Sequence, residues 1–263
     1  MTNDTIAVCT PGYEMKPLAI DLFCGLGGWT DGLLAEGYEV IGFDIEQHVY
    51  GEHRYPGMLA IQDVLTLHGS QFRDAALIVA SPPCQAYSYR AMPWKRAKAL
   101  PPPCNALFDA CFRLQREACE AAGRHIPLIV ENVRGAQPWV GRARWNFGSY
   151  YLWGDVPALM PITLHGAKNP GFRFDGSGRS FQSESVDQHI KNGGGSWFKI
   201  AHNTTSGHGR NPDGRHWKRD PMASAGSGSK KRKHAAAMIA KIPLPLSRYI
   251  AATFRPQIAQ AAE

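Results

Sequence analysis

The sequence predicts an α/β protein: a mixed, mostly parallel sheet with helices on both faces, joined to a small loop-rich lobe. Three observations carry this. Short apolar runs alternate with segments whose apolar residues recur at three- and four-residue steps. Several of those runs end in acidic or polar residues, as the strands of an open parallel sheet do where they meet a ligand crevice. From 166 to 232 the chain turns rich in Gly, Ser, Asn and His, with repeated NG, GG, DG and SG steps, which mark turns.

After an irregular leader over 1–16, Leu18–Phe23 is an apolar run followed at once by Cys24-Gly25-Leu26-Gly27-Gly28. Trp29, Leu33 and Leu34 then recur at helical spacing, giving strand, glycine turn and helix. Glu39–Asp44 reads as a second strand with an acid at its end, and Leu77–Ala80 as a third leading into Ser81-Pro82-Pro83-Cys84. Leu107, Cys111, Leu114, Ala118 and Ala122 predict a helix that Gly123 ends. Pro127–Val130 is a further strand closed by Glu131-Asn132. A structureless stretch as long as 166–232 inside one domain is improbable, so it reads as a loop-and-strand lobe. Residues 234–255 return to helix, with Ile242-Pro243-Leu244-Pro245 just before Leu246–Phe254.

The bulk numbers bound the class. A chain of 263 residues with 44% hydrophobic and 19% charged residues can bury a sizeable core and is not disordered throughout. The +7 formal charge is compatible with a polyanionic partner. Its placement says more: Lys218, Arg219 and Lys230 to Lys233 share one stretch, and Arg90, Lys95, Arg96 and Lys98 another. The cysteines Cys9, Cys24, Cys84, Cys104, Cys111 and Cys119 form no CxxC pair, so reduced thiols are expected and no metal. Met1–Tyr13 lacks a signal-peptide core and no apolar run is long enough for a membrane span, so a soluble, cytoplasmic monomer is expected.

The residues that could carry chemistry sit at strand ends. Gly25-x-Gly27-Gly28 lets a backbone approach a ligand closely, and Asp44 suits a ribose diol. A plain tight turn and a surface carboxylate would look the same, because the full GxGxxG spacing is missing. Cys84 is flanked by Pro, Gln, Tyr and Ser, in a loop that prolines stiffen. Cys104, Cys111 and Cys119, on or near an apolar helix, fit inert core thiols instead. Glu131 could face Cys84 across the crevice, and a thiolate beside a carboxyl acid is a sensible pair for attack on a ring carbon. Viewed alone, Glu131 would equally suit a capping or ion-paired role.

In order along the chain, these segments resemble the DNA (cytosine-5)-methyltransferase family, as a short member of phage or bacterial type. Asp21-Leu22-Phe23-Cys24-Gly25-Leu26-Gly27-Gly28 is similar to its first motif, Asp44-Ile45-Glu46 to the ribose-and-adenine motif, and Gln62-Asp63-Val64 to the segment at the adenine edge. Pro82-Pro83-Cys84-Gln85 with Ser88 resembles the catalytic loop and Glu131-Asn132-Val133 the acid motif. Arg142-Ala143-Arg144 resembles the arginine motif, with Val140 where the family usually has glutamine. Ile242-Pro243-Leu244-Pro245-Leu246 with Arg248 and Ile250 resembles the last motif.

The resemblance implies an S-adenosylmethionine-dependent, Rossmann-like catalytic domain over 1–165, a target-recognition region over 166–233 and a C-terminal helix over 234–263 that returns to the catalytic domain. It assigns Cys84, Glu131, Asn132, Arg142 and Arg144 to catalysis. Asp21, Phe23, Gly25, Gly27, Asp44, Ile45, Asp63, Val64, Pro83, Leu107 and Lys241 go to the cofactor. Gln85, Ser88, Arg90, Lys230, Lys231 and Arg232 go to double-stranded DNA. The implied reaction is addition of Cys84 to C6 of a flipped cytosine, with Glu131 at N3 and Arg144 at O2, then carbon transfer to C5. The short recognition region implies a short or relaxed target sequence.

The last motif departs from the family at Lys241, where asparagine usually lies beside the cofactor. A lysine about 4 Å from a sulfonium would cost about 4 kcal/mol at an effective dielectric near 20. S-adenosylmethionine could be replaced by carboxy-S-adenosylmethionine, whose carboxylate would pair with Lys241 and yield 5-carboxymethylcytosine. Lys241 could equally turn away toward a DNA phosphate or solvent. Three other readings stand beside this one: methylation of a tRNA cytosine, a catalytically silent DNA-binding relative, and, weakest, a nicotinamide-dependent reductase.

Overall fold

The computed structural model describes residues 16–87, 101–160, 233, 237 and 240–256. Its centre is a seven-stranded sheet of order β3-β2-β1-β4-β5-β7-β6. The strands are β1 (Leu18–Leu22), β2 (Glu39–Asp44), β3 (Met58–Ile61), β4 (Leu77–Ala80), β5 (Leu128–Asn132), β6 (Trp145–Phe147) and β7 (Tyr150–Gly154). The first five pair in parallel and β7 runs antiparallel to both β5 and β6. This is the mixed, mostly parallel sheet with helices on both faces that the sequence predicts.

Strand alternation builds two cores. Ile20, Leu22, Ile78 and Val130 face helix α2 (Ala106–Ala122), meeting Phe108, Cys111, Leu114 and Ala118. Ala19, Leu77, Val79 and Ile129 face the other way, toward Trp29 and Leu33 of α1 (Gly28–Ala35) and Leu246 and Ile250 of α4 (Leu244–Phe254). Successive side chains point to opposite faces, so a sheet buried on both sides needs continuous apolar runs. α2 ends at Gly123 with φ 64°, a left-handed stop that glycine takes without strain.

Three details differ from the sequence reading. Leu34 does not join the buried stripe of α1; it is 40% exposed. The C-terminal segment is not one continuous helix. Lys241 to Pro243 are non-helical, because a residue preceding proline is driven out of the helical region. α4 then begins at Leu244, earlier than expected, since Pro245 falls within its first two positions, where a missing N–H costs nothing. Finally, β6 and β7 form a hairpin around Gly148 (φ 58°) and Ser149.

α1 and α4 touch closely. A Cβ on Gly32 would lie 2.4 Å from the Ser247 carbonyl carbon and 2.5 Å from the Arg248 amide nitrogen. Tyr38 donates to the Ala251 carbonyl at 3.0 Å, and Arg248 pairs with Glu36 at 2.7 Å. The short helix α3 (Gln137–Val140) follows β5. No helix among the described residues is long and apolar enough to cross a membrane.

Candidate functional site

Strands β1 and β4 are neighbours, while the chain between them turns outward through β2 and β3. Such a reversal, at the carboxyl ends of β1 and β4, is where open α/β sheets bind ligands. β1 delivers the glycine turn to it, and β4 delivers the Cys84 loop.

The glycine turn is held by the fold rather than by its own sequence. Phe23 adopts φ 58°, a left-handed conformation rare outside glycine, and such strain concentrates at ligand clamps. Gly27 has φ 73°, and a Cβ there would fall 2.5 Å from Pro56 Cδ. The Gly25 amide donates to Asp44 Oδ2 at 2.9 Å and the Glu46 amide to Asp44 Oδ1 at 3.3 Å. Asp44 therefore braces the turn, and its carboxylate retains lone pairs for a diol. Ile45, next along, is 70% exposed, an apolar surface standing in solvent beside that carboxylate. Asp63 caps a one-turn helix by accepting from the Leu65 amide at 2.9 Å. Val64 is 1% exposed and packs in the α2-side core.

Asp21 lies beneath the turn. It is 1% exposed, and its Oδ1 has no hydrogen-bond partner. Its Oδ2 accepts from the Thr30 hydroxyl at 2.6 Å, and the Tyr55 hydroxyl lies 2.8 Å from the same Thr30 oxygen. A hydroxyl has one proton, so with Thr30 donating to Asp21, Tyr55 must donate to Thr30. Burial pushes the Asp21 carboxyl up to about 8, against the pull of hydrogen bonds from Thr30. An orphaned carboxylate oxygen, a strained turn, a braced diol-sized acid and an exposed apolar side chain together fit a cationic nucleoside cofactor. Thr30 and Tyr55 were not legible as site residues, because nothing in their local sequence marks their partners.

The Cys84 loop is pinned on both flanks. In the parallel register, Ala80 pairs with Val130, which brings Ser81 level with Glu131 and Pro82 level with Asn132. Asn132 Nδ2 donates to the Pro82 carbonyl at 2.9 Å, a fully buried contact. The Ser81 amide donates to Leu22 at 3.1 Å, and the Trp29 indole donates to Ser81 Oγ at 3.0 Å. Cys84 follows Pro82 by two residues and is partly exposed, whereas Cys24 and Cys111 are buried and their thiols are pushed upward by burial. A one-turn helix, Gln85–Tyr87, closes the loop.

Glu131 is 9% exposed and, by alternation, shares the sheet face of Ile129. Across β7, Glu131 pairs with Leu152 and Leu152 with Trp145. Arg144, next to Trp145, therefore stands about two strand spacings, or roughly 10 Å, from Glu131. Arg142 and Arg144 are exposed, as are Pro83 and Gln85, while Leu107 is half-buried in the first turn of α2.

Lys241 reaches the glycine turn from the other end of the chain. A Cβ on Gly28 would meet the Ile242 nitrogen at 2.2 Å and Lys241 Cγ at 3.0 Å. Lys241 Nζ pairs with Asp31 Oδ2 of α1 at 2.7 Å. Ser88, Arg90, Lys230, Lys231, Arg232 and residues 166–232 of the expected recognition region lie outside the described residues.

Residues 18–135 match the family model of C-5 cytosine-specific DNA methylases. No curated protein sequence matches the chain. Among solved structures, the chain resembles an E. coli prophage protein assigned as a DNA modification methyltransferase. That match has 24% identity and TM-score 0.34, covering 48% of this chain and 35% of that one. It resembles S. pombe Dnmt2 methyltransferase at 17% identity and TM-score 0.31, covering 46% and 36%. It resembles Entamoeba histolytica methyltransferase EhMeth at 17% and 0.32, covering 48% and 41%. The matched part thus spans well under half of each of these proteins.

Proposed function

We propose that the chain, whose residues 18–135 match the family model of C-5 cytosine-specific DNA methylases, modifies C5 of cytosine in duplex DNA, using Cys84 as nucleophile. The observation that carries this is the Asn132–Pro82 hydrogen bond. It holds the Cys84 loop beside the strand end that carries Glu131, at the reversal where β1 brings the glycine turn.

Cytosine C5 is too poor a nucleophile to attack an electrophilic carbon unaided. The Cys84 thiolate adds to C6, and the Glu131 carboxyl donates a hydrogen bond or proton at N3. The ring becomes an enamine with carbon-nucleophile character at C5. Arg144 holds O2 and favours the charge shift. After transfer, a base removes the C5 hydrogen and the Cys84–C6 bond breaks. The target must leave the duplex stack, because C6 is otherwise shielded. Basic residues of the recognition region hold phosphates.

Asp21, Phe23, Gly25, Gly27, Asp44 and Ile45 would hold S-adenosylmethionine, which supplies an electrophilic carbon on a sulfonium. Lys241 already has an anion in Asp31 at 2.7 Å, so the protein itself can offset that charge near the donor turn. One observation supports the carboxymethyl reading: the Lys241 stem lies against Gly28, within the turn. There its ammonium would exchange Asp31 for the carboxylate of carboxy-S-adenosylmethionine.

The test is nucleoside mass spectrometry of duplex DNA and of tRNA, each incubated with the protein and one donor at a time. 5-Methylcytosine in DNA is the expected product with S-adenosylmethionine. A 5-carboxymethylcytosine product that reverts to 5-methylcytosine in Lys241→Asn supports the second reading. Modification of tRNA alone, or of neither polymer, overturns the proposal.

A further inference from the structure

Asn105 opens α2 as its N-cap, yet its side chain makes no capping hydrogen bond. Asparagine is favoured at that position because its side-chain oxygen usually accepts from a first-turn amide. Here both amide atoms are turned elsewhere. The Tyr87 hydroxyl donates to Asn105 Oδ1 at 2.9 Å, and Asn105 Nδ2 donates to the Trp139 carbonyl at 3.0 Å. The orientation is forced. A carbonyl only accepts, so Nδ2 must face Trp139 and the oxygen is left for the phenol.

The two partners belong to different parts of the site. Tyr87 is 3% exposed and closes the turn that carries Cys84, its amide donating to the Cys84 carbonyl at 3.0 Å. Trp139 lies in α3, a helix too short to satisfy its own last carbonyls. The segment beyond it is held at three points. Gly141 accepts from the Trp153 indole at 2.9 Å, the Ala143 amide donates to Gln137 Oε1 at 3.2 Å, and the Arg144 amide donates to Leu152 at 2.9 Å. One amide therefore joins the nucleophile turn to the segment carrying Arg142 and Arg144.

We infer that Asn105 is a positioning residue for the proposed reaction, forgoing the cap of α2 to fix the Cys84 turn against the arginine-bearing segment. The inference rests on the cytosine-C5 reading. Its test uses the addition step alone. When the thiolate forms its bond to C6, C5 can take a deuteron from heavy water. Loss of the original C5 proton and departure of Cys84 then return cytosine labelled at C5. No donor is consumed.

Asn105→Asp keeps an acceptor for Tyr87 but cannot donate to Trp139. It also places a negative charge at a helix N-terminus, where charge is favourable. The expected result is a thermal midpoint unchanged or raised, a KM for duplex DNA within about twofold of wild type, and C5 exchange slowed about ten- to a hundredfold, the scale of a small misplacement of reacting groups. Tyr87→Phe, which loses only the first bond, should slow exchange with the same unchanged KM. Exchange in Asn105→Asp equal to wild type overturns the inference alone, as does a loss of exchange matched by a drop in midpoint. A wild-type protein that exchanges no C5 hydrogen sinks the parent reading, and this inference with it.

Discussion

Thr30→Val isolates the buried chain beneath the glycine turn. Valine keeps the side-chain shape but removes an oxygen that accepts from Tyr55 at 2.8 Å and donates to Asp21 at 2.6 Å. Both partners are buried, Tyr55 at 7% and Asp21 at 1% exposure. Neither can turn to water. Leaving a buried polar group without its partner costs about 1–3 kcal/mol, so two such groups give about 2–6 kcal/mol. The loss should also depend on pH. Thr30 stabilises the ionised form of Asp21, whose pKa is about 8 in the folded protein. Below that value the carboxyl is neutral and the missing donor matters less; above it, a charge-assisted bond is lost. Urea unfolding at pH 6 and pH 9 measures both effects. A destabilisation under about 1 kcal/mol, or one equal at the two pH values, refutes the chain as drawn.

Three further perturbations follow from the same geometry. Asp21 binds its proton up to about pH 8 in the folded state but only to about pH 4 when unfolded. The folded state therefore holds the extra proton in that window, and stability falls as pH rises through it, by up to about 1.4 kcal/mol per unit. Asp21→Asn should flatten the urea midpoint between pH 5 and 8, and parallel curves would contradict this. Gly32→Ala drives a Cβ into the α4 backbone at 2.4–2.5 Å, so the helices must part at about 1–3 kcal/mol; an unchanged thermal midpoint would count against the packing. Asn132→Ala releases the Pro82 carbonyl, and modification should slow about a hundredfold with DNA affinity preserved, read by single-turnover kinetics and a binding titration.

How much of this was legible depended on whether the signal was local. β1, β2, β4 and β5 are apolar on both faces and flanked by turn residues, so composition alone marks them. α2 announces itself by the spacing of Leu107, Cys111, Leu114 and Ala118 and by Gly123. β3 escaped notice because its apolar run, Met58-Leu59-Ala60-Ile61, is an edge strand with exposed ends and a single β-branched residue. The β6–β7 hairpin was hidden in an aromatic stretch whose Gly148–Ser149 turn looked like any other glycine step.

Within the site, residues at strand ends could be placed because parallel strands bring their carboxyl ends together. The fixing contacts could not. Trp29 meets Ser81 across 52 positions, Tyr87 meets Asn105 across 18, and Asn132 meets Pro82 across 50. Each exists only once the sheet is assembled. Lys241 illustrates the same limit. Its oddity was visible as a charge in an uncharged place, but the Asp31 that pairs with it lies on a helix near the other end of the chain.

Duplex DNA carrying 5-fluorocytosine puts the proposed nucleophile, Cys84, to trial. Fluorine at C5 cannot depart as a cation, so after carbon transfer the thioether at C6 has no way to break. Incubated with a donor, the protein should become covalently joined to the strand, with peptide mapping placing the link at Cys84 and the adduct absent in Cys84→Ser. Recovery of no adduct, or of one through a different cysteine, would contradict the account.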